Sequence, residues 1–310
     1  MSTRARQELE QALDRSRREE LDELHRTWRR SRSRRHSLLV AWLGGWLTRQ
    51  KRAVAEPLPE VTAGEVGLTW AGHATMIVRY ARLVVACDPM LGGRVGLVKR
   101  AVSPGLTPAE LDDVGLVLIS NGDPDHLHVP TLAQLPRSAT VVVPARCAEL
   151  ISPLGFARVV ELGTWQSIAH RGVEVVAVPA RHVSVAQRGS SAWFVRGDGP
   201  SVLFSGASGY GPHWLEIGRR FHPDVAVLPI GGYTPSALRD DFMSPLDALF
   251  AFEDLGARLF IPVRHGTFQL SYERLDEPLR WLAHLVEERG LAGHVSALAP
   301  GTSRKFTVLP

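Results

Sequence analysis

Val117-Leu118-Ile119-Ser120-Asn121-Gly122-Asp123-Pro124-Asp125-His126-Leu127 is an apolar run of strand character that empties into a tight turn holding two carboxylates, an amide and an imidazole. In α/β proteins, ligand and metal sites form where converging polar groups sit at the carboxyl edge of a sheet. Asp123, Asp125 and His126 are therefore candidate ligands for a hard or borderline cation, whereas the neutral amide of Asn121 is a weak one.

The chain around this turn predicts short strands at 67–70, 75–80, 83–87, 114–120, 140–143, 173–178, 192–195, 202–205, 225–229 and 259–263. Helical periods cover 131–135, 245–255 and 274–288. Hairpins come first and strands alternating with helices come later, which points to a layered α/β sandwich rather than a doubly wound sheet. Pro57 and Pro59 mark a linker, so residues 1–60 read as an extension and 61–310 as the globular domain.

Seven segments in order then carry a family likeness: Thr69-Trp70-Ala71-Gly72-His73-Ala74-Thr75, Cys87-Asp88-Pro89, the turn at 118–127, and Pro179-Ala180-Arg181-His182-Val183-Ser184. The others are Ser205-Gly206-Ala207-Ser208-Gly209-Tyr210, Leu228-Pro229-Ile230-Gly231-Gly232-Tyr233 and His265-Gly266-Thr267-Phe268. Over about residues 65–285 the chain resembles the metallo-β-lactamase fold, in the branch of N-acyl-phosphatidylethanolamine phospholipase D and the ascorbate-6-phosphate lactonases. That resemblance implies a four-layer αββα sandwich, two metal ions, and hydrolysis of a phosphodiester or lactone.

The same resemblance exposes departures. The family's His-x-His-x-Asp-His reads here as Asn121, Asp123, Asp125 and His126, of which the last two match. His182 falls on the next ligand position and matches as well. Ala207 stands where a metal-bridging Asp is expected, Arg264 where the last His is expected, and Phe242 where a further His is expected. His265 takes the neighbouring aromatic position, and adjacent residues of extended chain point to opposite sides. Asp123, Asp125, His126 and His182 remain the metal-ligand candidates, with Asp125 and His73 the catalytic ones. Asn121, Ala207 and Arg264 are cleft residues that replace ligands; Asp88, His265 and Tyr210 are expected to buttress the site or meet substrate. Arg264 is expected to reach Asp123 and Asp125 and take over the electrostatic role of a second ion, since buried carboxylates need a counter-charge.

Composition bounds the rest. The chain of 310 residues is 45% hydrophobic and 22% charged, ordinary for a globular protein. Its two cysteines, Cys87 and Cys147, have no CxxC spacing, which suggests a reducing compartment and argues against a thiolate metal site. The net charge of +4 is unevenly placed: residues 1–55 hold 14 Arg or Lys against 7 Asp or Glu, so +7, and the remainder is −3 (4 − 7). Within the extension, 4–28 reads as a weakly amphipathic helix. An arginine cluster at 29–35 and an apolar stretch at 38–47 with Trp42 and Trp46 follow it. That stretch is short of the roughly 20 residues needed to span a bilayer. It makes a poor signal peptide. Residues 26–52 suit either an anionic membrane surface or a protein contact; nucleic acid is the weaker third choice. A cytoplasmic location follows, with peripheral membrane association and oligomer formation left open.

Two classes of function lead, and a third, a different chemistry in the same cleft without metal, stays open beside them. One is a hydrolase with one divalent ion, Zn, Mn or Fe, acting on a phosphodiester or lipid-like substrate. The other is a relative with no metal, whose cleft binds a small anionic ligand through Arg264 and Arg181. Hydrolase chemistry on the usual dinuclear centre is not expected. No GxSxG elbow occurs, so a serine-triad mechanism is not expected either.

Overall fold

The computed structural model describes residues 16–17, 19–26, 50–185 and 188–307. Its strands run β1 Glu65–Gly72, β2 Thr75–Tyr80, β3 Leu83–Cys87, β4 Arg94–Val95, β5 Val98–Lys99, β6 Val114–Leu118, β7 Thr140–Pro144 and β8 Arg158–Leu162. They continue as β9 Ser167–His170, β10 Val173–Val178, β11 Ala192–Arg196, β12 Val202–Phe204, β13 Val225–Pro229, β14 Leu259–Val263 and β15 Ser303–Thr307. The α-helices are α1 Val129–Leu132, α2 Ala148–Ile151, α3 His213–Phe221, α4 Pro245–Leu255 and α5 Glu277–Glu288.

Alternation along the strands explains the layering. Val66, Leu68, Trp70, Met76, Val78, Leu116 and Leu118 meet Val175, Ala177, Trp193, Phe204, Val227 and Ile261 in a core between two sheets. The intervening residues Ile77, Ala86, Val117, Ile119 and Val141 face Leu132 and Ile151 of the short helices. Those of the second sheet, Val176, Phe194, Ala226 and Leu228, face Trp214, Leu249 and Trp281 of α3, α4 and α5. Both faces of each sheet are covered, which is why its central strands read as nearly unbroken apolar runs. The result is the expected four-layer αββα sandwich.

The first sheet has the order β15-β1-β2-β3-β6-β7-β8 and the second β14-β13-β12-β11-β10-β9. β3, β6, β7 and β8 are parallel to one another, as are β12, β13 and β14. The loops that leave their carboxyl ends therefore gather at one rim of the sandwich.

Edge strands β8 and β15 and the short β9 were not expected from the sequence. β15 carries Arg304 and Lys305, and charges on an exposed edge mask the periodic signal while guarding the edge against association. Residues 19–26 are helical, and Leu21 is buried in the core that contains α4. From this stretch, Asp22 pairs with Arg239 at 2.5 Å and His25 bonds the Ser244 hydroxyl at 2.8 Å. Ser244 caps α4 with a capping box completed by Asp247. Residues 27–49, with most of the basic and Trp-bearing segment at 26–52, lie outside the described residues. Among the described residues no helix is long and apolar enough to cross a membrane.

Candidate metal centre

The site is assembled from four loops. The β1–β2 turn brings His73, the end of β3 brings Asp88, the turn after β6 brings Asp125 and His126, and the end of β14 brings Arg264. His73, Asp88 and Arg264 all have positive φ, at 54°, 43° and 60°. Non-glycine residues rarely adopt that conformation, and strain of this kind gathers where function fixes a side chain. The two sheets are tied across the site: the Arg264 amide donates to the His73 carbonyl at 2.8 Å, and the His73 amide donates to Thr267 Oγ1 at 2.9 Å.

One ligand atom from each of His73, Asp125 and His126 lies within 4.8 Å of the others, and all three residues are buried. His73 Nε2 is 2.8 Å from Asp125 Oδ2, and His126 Nε2 is 3.5 Å from the same oxygen. His126 Nδ1 is 2.6 Å from Asp88 Oδ2, while Asp88 Oδ1 accepts from the Ser120 amide at 2.7 Å. Asp88 therefore holds a proton on Nδ1 and turns Nε2 inward, where that buried nitrogen makes no hydrogen bond. A carboxylate behind the outer nitrogen of a histidine, with the inner nitrogen unpaired, is how proteins orient histidine for a metal. Two imidazoles and a carboxylate suit a borderline divalent ion and leave a fourth position open. These residues fit one ion.

The electrostatics agree with that donor set. Burial pulls the His73 imidazole down to about 4 against the opposing pull of Asp125, so it is neutral at neutral pH. Burial also pulls His126 down, but Asp125 and Asp88 outweigh it and the net direction is up. Loading an ion through Nε2 therefore competes with protonation of the ring. Asp125 would be raised by burial, yet His126, His73 and Arg264 hold it well below the usual carboxylate range.

The donors expected around a second ion are engaged with one another or with neighbouring groups. Asp123 and His182 are turned onto each other, with Oδ2 to Nε2 at 3.0 Å. The other oxygen of Asp123 accepts from Ser184 Oγ at 2.7 Å and the Val185 amide at 2.9 Å. Asn121 Oδ1 is spent on the Asp123 amide at 2.9 Å, and Ala207 is buried with no donor to offer. Gly206 beside it must be glycine, since a Cβ there would stand 2.1 Å from Ser120 Cβ.

Arg264 reaches Asp125 but forms no hydrogen bond or ion pair with Asp123, which corrects the expectation that it spans both carboxylates. His265 packs against Trp70 with ring centroids 4.6 Å apart and planes tilted by 35°, and it is no part of the three-residue cluster. The Tyr210 hydroxyl donates to Asp254 on α4 at 2.6 Å, away from the cluster. His73, expected from the sequence to be catalytic, stands instead among the three clustered donors. Gly232 and Phe242, legible in the sequence only as a turn glycine and a lost ligand, both seat Arg264. A Cβ on Gly232 would stand 2.2 Å from Arg264 Nη1, and Phe242 lies 4.0 Å beneath the guanidinium carbon.

Comparison with known proteins gives consistent likenesses. Residues 84–265 match the model of the β-lactamase superfamily domain. A UPF0173 metal-dependent hydrolase of Methanopyrus kandleri is 31% identical over 244 residues, covering 76% of this chain and 98% of the relative. An uncharacterized protein of Mycobacterium tuberculosis is 31% identical over 258 residues, covering 77% of this chain and 68% of that one. The solved structure of a metallo hydrolase from Ignicoccus hospitalis superposes with a TM-score of 0.63 at 21% identity, covering 79% of this chain and 100% of that chain.

Proposed function

Since the chain belongs to the family of the β-lactamase superfamily domain, we propose that it is a metal-dependent hydrolase working with one divalent ion on His73, Asp125 and His126. The observation that carries this reading is the unpaired, buried Nε2 of His126, oriented by Asp88 toward the two other donors. The Methanopyrus relative, described as a metal-dependent hydrolase, supports the reaction class.

A divalent ion held there supplies Lewis-acid polarisation of an ester oxygen and a lowered pKa for water. The chain's own residues do the rest. Asp88 keeps the His126 ring in one tautomer and one orientation. His73 is neutral and Asp125 ionised at neutral pH, the charge states in which an imidazole and a carboxylate serve as ligands. Arg264 holds a permanent positive charge beside Asp125. The substrate we favour is a phosphodiester or a lactone, small and anionic or lipid-like, as the family resemblance implies.

Turnover of bis-p-nitrophenyl phosphate and of a simple γ-lactone separates this reading from a non-catalytic one. Protein stripped by chelator should be inactive, and reloading with Zn, Mn or Fe should restore hydrolysis in the wild type but not in Asp125→Ala. Equal turnover by stripped and reloaded protein would sink the proposal.

A further inference from the structure

Arg264 makes fewer bonds than its burial calls for. Its side chain is 6% exposed, yet Nε has no hydrogen-bond partner. Nη1 donates to the Gly231 carbonyl at 3.0 Å, and Nη2 reaches Asp125 Oδ2 only at 3.5 Å. A guanidinium carries five N–H donors, and a counter-ion for a carboxylate normally grips it through two short parallel bonds. Here the short bond to Asp125 Oδ2 comes from His73 instead, at 2.8 Å. The guanidinium is placed by other means: the Gly231 carbonyl, the face of Phe242 at 4.0 Å, and the missing Cβ of Gly232. Its position is thus built independently of Asp125.

Beside it lies a small cavity of about 20 Å³, lined by His73, Gly231, Gly232, Arg264 and Glu273 among others. That is room for about one water-sized atom. Glu273, the lining carboxylate, is turned away from this use, because its oxygens accept from the Gly232 amide at 2.5 Å and the Thr234 amide at 3.1 Å. Asp125, Glu273 and Asp123 all act on the guanidinium charge, and burial opposes them. An arginine with unpaired donors, fixed at a void of oxygen size next to the metal-ligand cluster, has the geometry of an anion receptor.

We propose that Arg264 binds an anionic oxygen of the substrate, phosphoryl or carboxylate, at the position where relatives with a complete ligand set would place a second ion. The interaction is electrostatic and hydrogen-bonded, and no bond is made or broken at Arg264. This assignment rests on the hydrolase reading for its substrate but needs neither a metal nor turnover to be tested.

Isothermal titration of inorganic phosphate, and separately of acetate, into the full chain stripped of metal provides that test. Saturable binding of at least one probe is expected, weakened by about tenfold or more in Arg264→Gln and largely kept in Arg264→Lys, since the charge is the larger contribution. The probe bound more tightly tells a phosphoryl from a carboxylate substrate. If Arg264→Gln does not fold, Gly232→Ala keeps the charge but displaces the guanidinium, and should weaken binding as well. Absence of binding by the wild type, or binding unchanged in the variant that folds, would overturn the assignment. Intact binding by a chain that hydrolyses nothing would instead count against the hydrolase reading alone.

Discussion

Gly232→Ala is the sharpest probe of how this site is built. Gly232 has φ of 97°, a conformation in which an L-residue costs ~1–2 kcal/mol. The added Cβ would stand 2.2 Å from Arg264 Nη1 and 3.3 Å from Phe242 Cγ. Ordinary contact needs about 3.5 Å, so the guanidinium must retreat by roughly 1 Å, the difference between those separations. From 3.0 Å, the bond to the Gly231 carbonyl would then pass beyond hydrogen-bonding range. Losing a charge-assisted bond at a buried group costs ~1.5–3 kcal/mol. The sum is a destabilisation of about 3–5 kcal/mol. The assay is urea denaturation of a double-mutant cycle with Arg264→Ala, comparing midpoints at unchanged slope. In the Arg264→Ala background only the backbone cost should remain, about 1–2 kcal/mol, so the two sites should couple by roughly 2 kcal/mol. Equal costs of Gly232→Ala in both backgrounds would refute the idea that this glycine exists to seat the guanidinium.

Three further outcomes are expected. Asp88→Asn should lower metal affinity by about 10–100-fold, read by chelator competition, because it removes the carboxylate behind His126. Leu21→Ala should cost about 2–5 kcal/mol in denaturation if the 19–26 helix is bound to α4 as firmly as its burial implies. Asp247 would be raised by burial, but His25 and Arg239 hold its pKa below the usual carboxylate value. Its folded value lies below its unfolded one, so its stabilisation is complete above about pH 4 and is lost as pH falls below that. Asp247→Asn should flatten the acid limb of the stability curve; an unchanged limb would place the acid-sensitive group elsewhere.

Much of this was legible because two-sided burial leaves a plain mark. The runs at 75–80, 114–118 and 225–229 are apolar at nearly every position, and each became a central strand. β8 and β15 were missed because edge strands answer to solvent as well as to the core; α3, by contrast, carries a plain helical period at Trp214, Ile217 and Phe221. At the site, Asp125 and His126 could be read from the turn itself. The role of His73 could not, since it depends on a β1–β2 turn folding over Asp125, a contact 52 residues apart in the chain. The pairing of Asp123 with His182 was equally hidden, because Ser184 and Val185 rotate that carboxylate out of reach. Gly232 showed only a turn glycine in the sequence. Its purpose appears when the Arg264 side chain arrives from another strand.

Metal content per chain, measured by elemental analysis after loading with Zn, Mn or Fe and exhaustive dialysis, bears most directly on the single-ion site. One ion is expected in the wild type, retained in His182→Ala and lost in His126→Ala. Two ions, no ion under any loading condition, or one ion that disappears with His182 rather than with His126 would contradict it.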